Sequence, residues 1–89
     1  MFEIEATWDA IRRLNDSRKV KRLPEFKWVA DYYREGGADS LWPQMAFGFD
    51  TQTEEFGYSV HLHEMKVLWF PMTAPDILRV YQDVCKLTD

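Results

Sequence analysis

The stretch His61-Leu62-His63-Glu64 holds the residue types best suited to chemistry in this sequence. Residues two apart on a strand share a face, so the two imidazoles have the disposition of paired metal ligands. Zinc takes three or four protein ligands, and no spacing brings Cys85 or a carboxylate in to complete the set. The expectation is two solvated histidines on an open sheet face, with a metal-dependent site at His61 and His63 kept as an alternative.

Three other constellations fail on geometry. Gly57-Tyr58-Ser59-Val60 begins like a nucleophile elbow, yet His61 stands where the last glycine belongs and no strand-to-helix turn follows. Ser59 and His61 lie side by side along one strand, which gives no reason for the short hydrogen bond that activates a serine. Gly36-Gly37-Ala38-Asp39 lacks the lysine and hydroxyl of a phosphate loop and closes a helix instead of opening one. No carboxylate pair is held at a spacing that separates an acid from a base. No catalysis, cofactor or bound metal is therefore expected.

Binding is the better-supported chemistry. From Arg12 to Lys27 the chain carries Arg12, Arg13, Arg18, Lys19, Lys21, Arg22 and Lys27 against only Asp16 and Glu25, whereas the rest is acidic and the whole has a net charge of -4. Clustered cations can neutralise phosphates and release counterions, so direct nucleic-acid contact by Arg12, Arg13, Arg18, Lys19, Lys21 and Arg22 is one alternative. A solvated face partly paired with the chain's own carboxylates is the plainer reading. Gly57-Tyr58-Ser59 matches part of an RNA-binding strand motif, but Phe56 replaces its leading basic residue and the alternation puts Tyr58 in the core.

Four tryptophans are many for so small a core, so some should reach the surface. Trp28 and Tyr32, four apart, share a helix side away from the stripe Phe26, Val29, Ala30 and Tyr33. Aromatics beside arginines are the composition of interface anchors. The expected role is that of a small non-catalytic intracellular protein that inhibits or modulates a protein partner, of the immunity, antitoxin or phage anti-defence type. That partner would be a nucleic-acid-binding protein whose basic surface meets carboxylates in place of phosphates. Trp28 and Tyr32 with Asp31, Glu35, Asp39, Asp50, Glu54 and Glu55 are the expected contact residues, and a homo-oligomer is a further alternative.

The elements that must position these groups read as one domain over residues 1–89, since 89 residues supply a single core and no repeat or linker interrupts them. No apolar run approaches the roughly 20 residues that cross a bilayer. The acidic start lacks the pattern of a cleaved secretory signal. With Cys85 as the sole cysteine, no internal disulfide forms, which fits a reducing cytoplasm. Asn15-Asp16-Ser17 matches a glycosylation acceptor, but without a secretory route it reads as a helix-end or turn cluster.

Ile4, Trp8, Ile11 and Leu14 recur at helical spacing with Thr7 as a candidate cap, although Phe2 and Ile4 alternate with Glu3 and Glu5 as a short strand would. Whether the basic stretch that follows is helix or loop stays open. Pro24 to Glu35 is expected as a second helix ended by Gly36-Gly37. After a turn over Asp39 to Pro43 the period falls to two, giving strands at Met45 to Asp50, Phe56 to His63 and Lys66 to Phe70. Thr51 to Glu55 joins the first pair and Glu64-Met65 the second. Thr73-Ala74-Pro75-Asp76 opens a last helix with the stripe Ile77, Val80, Tyr81, Val84 and Leu87. The result is an α+β domain in the order α-α-β-β-β-α, a three-stranded antiparallel meander with helices on one face. The other face, with Gly57, Ser59, His61 and His63, is expected to be solvated.

Overall fold

A computed structural model describes residues 2–34, 44–62 and 65–87, with only the backbone of residues 2 and 3. The elements are α1 (Phe2–Asp16), two 3-10 turns (Val20–Arg22 and Pro24–Phe26), α2 (Lys27–Arg34), β1 (Met45–Asp50), β2 (Glu55–His61), β3 (Val67–Met72) and α3 (Ala74–Cys85). Their order is α-α-β-β-β-α, and the sheet is antiparallel in the order β1-β2-β3. The expected Gly36-Gly37 terminator, the turn from Asp39 to Pro43, and His63 and Glu64 lie outside the described residues.

The ambiguity at residues 2–5 resolves as helix. Thr7 accordingly sits inside α1, fully buried, and is not its cap. The buried stripe is Thr7, Ala10, Ile11 and Leu14, so that Ile4 and Trp8 fall to one side of it. The basic stretch is neither one helix nor one loop. It runs through the end of α1 and both 3-10 turns, whose Val20, Leu23 and Phe26 enter the core. The expected second helix begins as the 3-10 turn at Pro24 and becomes α-helical at Lys27.

The strands alternate as their period demands. Phe47, Tyr58 and Val60 face inward onto Phe26, Val29, Ile77, Val80 and Val84, and the Phe26 ring stands edge-on to Tyr58 at 5.1 Å and to Phe47 at 5.9 Å. α3 packs on α1 and against the inner face of β2. Its start is a full capping box: Thr73 Oγ1 accepts from the Asp76 N–H at 3.2 Å while the Asp76 carboxylate accepts from the Thr73 N–H at 3.4 Å.

Two features of the sheet depart from expectation. β3 continues through Pro71 to Met72, because the register pairs Met72 with Phe56 and Phe70 with Tyr58, leaving the proline nitrogen on the open side where no N–H is required. The outer face is also not simply solvated. Trp69 lies on it, and its indole covers Gly57 so closely that a Cβ there would sit 2.6 Å from Trp69 Cζ2 and 2.4 Å from the Phe70 carbonyl oxygen. Gly57 is buried in consequence, and Ser59 and His61 are half-buried.

The sheet's two rims differ. The ladder bonds His61 N–H to Gln44 C=O (3.1 Å) and Leu62 N–H to Lys66 C=O (2.7 Å) set the phase of both pairings. On β1 the backbone groups of Met45, Phe47 and Phe49 therefore point away from β2. Asn15, at the end of α1, meets those of Phe47: its Oδ1 accepts from the Phe47 N–H at 2.7 Å and its Nδ2 donates to the Phe47 C=O at 3.0 Å. At this one residue a side-chain amide takes the place of a neighbouring strand. Among the described residues no hydrogen bond of this kind meets the outward backbone of β3.

Candidate protein-binding surface

The expected contact residues divide into two groups. Trp28 is 38% exposed, with its ring edge-on to Phe70 at 5.6 Å. Phe70 in turn stacks on Tyr58 at 4.8 Å. Burial raises the Tyr58 phenol above its ordinary pKa, while a hydrogen bond with the Trp28 side chain acts against that rise. Tyr32 is half-buried and edge-on to Tyr33 at 5.2 Å, and the Tyr33 hydroxyl donates to the His61 carbonyl oxygen. Trp28 and Tyr32 thus carry structural contacts as well as exposed surface.

The carboxylates are not gathered around that pair. Asp31 lies between Arg34 (2.8 Å) and Lys27 (3.8 Å), so its charge is met locally. Glu35 and Asp39 lie outside the described residues. Asp50, Glu54 and Glu55 stand at the hairpin turn between β1 and β2, where Asp50 accepts from the Gln52 N–H at 2.9 Å and Glu54, at φ 57°, closes the loop. Tyr33 marks the other end of β2, at His61. His61 is six residue steps along β2 from Glu55, about 20 Å at about 3.3 Å per step. The Tyr33 end of α2 and the hairpin turn therefore belong to different ends of the sheet, while Trp28 lies over its middle at Phe70.

At the hairpin end the structure places a residue that sequence periodicity assigns to the core. Trp8, 46% exposed, packs on Phe49 (centroids 5.9 Å apart) and Phe56 (5.7 Å), which are themselves 4.9 Å apart in an edge-on pair. Ile4, one turn earlier on α1, is 54% exposed. Asp50 follows Phe49 in the chain and Glu55 precedes Phe56, so these carboxylates stand at the same end of the hairpin but on the sheet face opposite the two rings. Thr7 and Ala10 carry the missing signal. They complete an equally good helical stripe with Ile11 and Leu14, which displaces Ile4 and Trp8 toward solvent.

The basic segment is largely engaged within the chain. Arg12 and Arg13 both bind Asp9, at 2.5 and 2.9 Å, and those hydrogen bonds, Arg12 first, hold the Asp9 carboxyl below its ordinary pKa. Lys19 donates to the Leu87 carbonyl at 3.5 Å and Lys21 to the Gln44 side chain, with burial lowering the Lys21 pKa. Arg18 and Arg22 are exposed.

At the outer face His61 Nδ1 and Trp69 Nε1 are buried without a hydrogen-bond partner among the described residues. No three potential metal ligands converge among the described residues. Cys85 is exposed on α3, which packs on the inner side of the sheet, so the sheet separates it from His61. No helix among the described residues is long and apolar enough to cross a membrane. No protein-family model, curated protein or solved structure matches the chain.

Proposed function

We propose that the chain is a non-catalytic binding protein that inhibits or modulates a protein partner, and that it docks by the end of the domain where Trp8 meets the β1–β2 hairpin. The observation that carries this reading is an exposed indole packed on two phenylalanines, with the exposed Ile4 one turn away on α1, at the hairpin end that also carries Asp50, Glu54 and Glu55. Large aromatics that are half-desolvated before docking make effective anchors, and a charged border steers association. The partner is then a protein with an apolar pocket ringed by arginine and lysine, such as a nucleic-acid-binding surface. The engagement of Arg12, Arg13, Lys19 and Lys21 within the chain favours this reading over direct nucleic-acid binding. A single exposed cysteine suits a reducing compartment, and we place the protein in the cytoplasm.

The test begins with co-purification of the partner from the native host and binding of the purified pair. Trp8→Ala should weaken that binding by about tenfold or more, as expected of an anchor. Reversing Asp50, Glu54 and Glu55 to lysine should slow association and flatten its dependence on salt. A purified partner that binds both variants as tightly as the wild type would refute the proposed surface.

A further inference from the structure

We propose that the open rim of β3 is a dimerisation edge at which a second copy of this chain adds its own β3 antiparallel, about a two-fold axis through Leu68. The register that seals β1 leaves β3 unsealed. Leu68, Phe70 and Met72 face β2 in the ladder, so Val67, Trp69 and Pro71 direct their backbone groups outward. Two N–H donors, those of Val67 and Trp69, meet no acceptor among the described residues. The side chains around them are apolar and open: Val67 is 52% exposed, Leu68 42%, and Met65 is exposed beside them. Long apolar edges of this kind template strand addition.

A second copy fits this edge better than an arbitrary peptide for two reasons. First, the edge is self-complementary. With the axis at Leu68, Val67 of each copy faces the partner's Trp69, and both N–H groups of each copy donate to the two outward carbonyls of the other. An axis at Trp69 would set Val67 opposite the partner's Pro71 and leave the Val67 carbonyl without a donor, since proline has none. Second, the edge carries no carboxylate although the chain is acidic. From residue 65 to residue 72 the only charge is Lys66, while the net charge is -4, so two copies meet where their like charges are absent. Val67 would then lie beside the partner's Trp69 indole on the outer face, and the two Leu68 side chains would pack across the axis at the close spacing of a non-hydrogen-bonded pair.

The experiment measures the mass of the full chain by sedimentation equilibrium between about 10 μM and about 1 mM, a range that captures weak association. The expected mass rises from 10.6 kDa toward twice that value. In parallel, hydrogen exchange at the Val67 and Trp69 amides should slow as concentration rises, whereas the Leu68 and Phe70 amides, already in the ladder, should be protected throughout. Val67→Pro removes an outward N–H, as Pro71 already does two positions beyond Trp69, and should weaken dimerisation about tenfold or more while leaving the far-UV spectrum unchanged. Leu68→Lys and Leu68→Glu should each be monomeric alone and should pair when mixed. A mass fixed at 10.6 kDa at the highest concentration, or a dimer indifferent to Val67→Pro and Leu68→Lys, would overturn the proposal. Protection of the Val67 and Trp69 amides that appears only when a different protein is added would also overturn it, in favour of a heterologous strand.

Discussion

Replacing Asn15 by alanine removes the amide that accepts from the Phe47 N–H and donates to its carbonyl. Each hydrogen bond is worth about 0.5–1.5 kcal/mol, so the pair is worth about 1–3 kcal/mol if nothing replaces it. Two effects reduce that figure. The position is exposed, so water reaches the freed backbone groups, and alanine is the better helix former by roughly 0.5 kcal/mol. A net loss of about 1 kcal/mol remains. With a urea dependence of about 1 kcal/mol per molar for so short a chain, the unfolding midpoint should fall by about 1 M. Asn15→Asp separates the two bonds, because the carboxylate still accepts from the Phe47 N–H but faces the carbonyl oxygen with no donor. Protonating it restores a donor, so this variant should recover stability relative to the wild type as pH falls. Equilibrium urea unfolding followed by tryptophan emission, at neutral and at acid pH, measures both effects. An Asn15→Ala midpoint equal to that of the wild type, or an Asn15→Asp difference that does not vary with pH, would show that this amide does not hold β1.

Gly57→Ala should destabilise the domain by about 1–3 kcal/mol, because the added methyl meets the Phe70 carbonyl and the Trp69 ring; thermal unfolding and a shift in indole emission report it. Asp9 has a folded-state pKa below its ordinary 3.8, so the stability it contributes is complete above that value and is lost as pH falls through the lower one. Asp9→Asn should therefore lose less stability than the wild type on acidification through that window, and concentrated salt should shrink the difference between the two proteins in a pH series of melting temperatures.

Where neighbours in sequence are also neighbours in space, the sequence was readable. The period-two runs at Met45–Asp50 and Phe56–His63 became paired strands, the second starting one residue earlier and ending at His61, and Thr73-Ala74-Pro75-Asp76 became a capping box whose two bonds stay within one turn. The α+β order follows from the same local signals. What escaped depends on distant partners. Asn15 reads as part of a helix-end or turn cluster and does lie in the last turn of α1, yet its amide serves a strand 32 residues away. Thr7 resembles a cap until the helix is seen to start at Phe2. Trp8 belongs to the inner stripe by spacing, and only packing against Phe49 and Phe56 reveals it as half-exposed. Pro71 suggests the end of a strand, but an outermost strand needs no donor on its free side. The contact carboxylates divide for a related reason: composition places Asp31 and Glu54 in one acidic class, whereas Asp31 is paired with Lys27 and Arg34 on α2 and Glu54 stands in the β1–β2 turn.

The unequal rims bear on how far association can proceed. A sheet that adds neighbours along both margins grows into filaments, because every addition exposes another sticky border. Here the amide at the far margin occupies the Phe47 groups at its centre, which interrupts the run that a newcomer would need. The proposed pairing would therefore leave a β1 strand at either margin, each interrupted at Phe47, a shape that disfavours further addition.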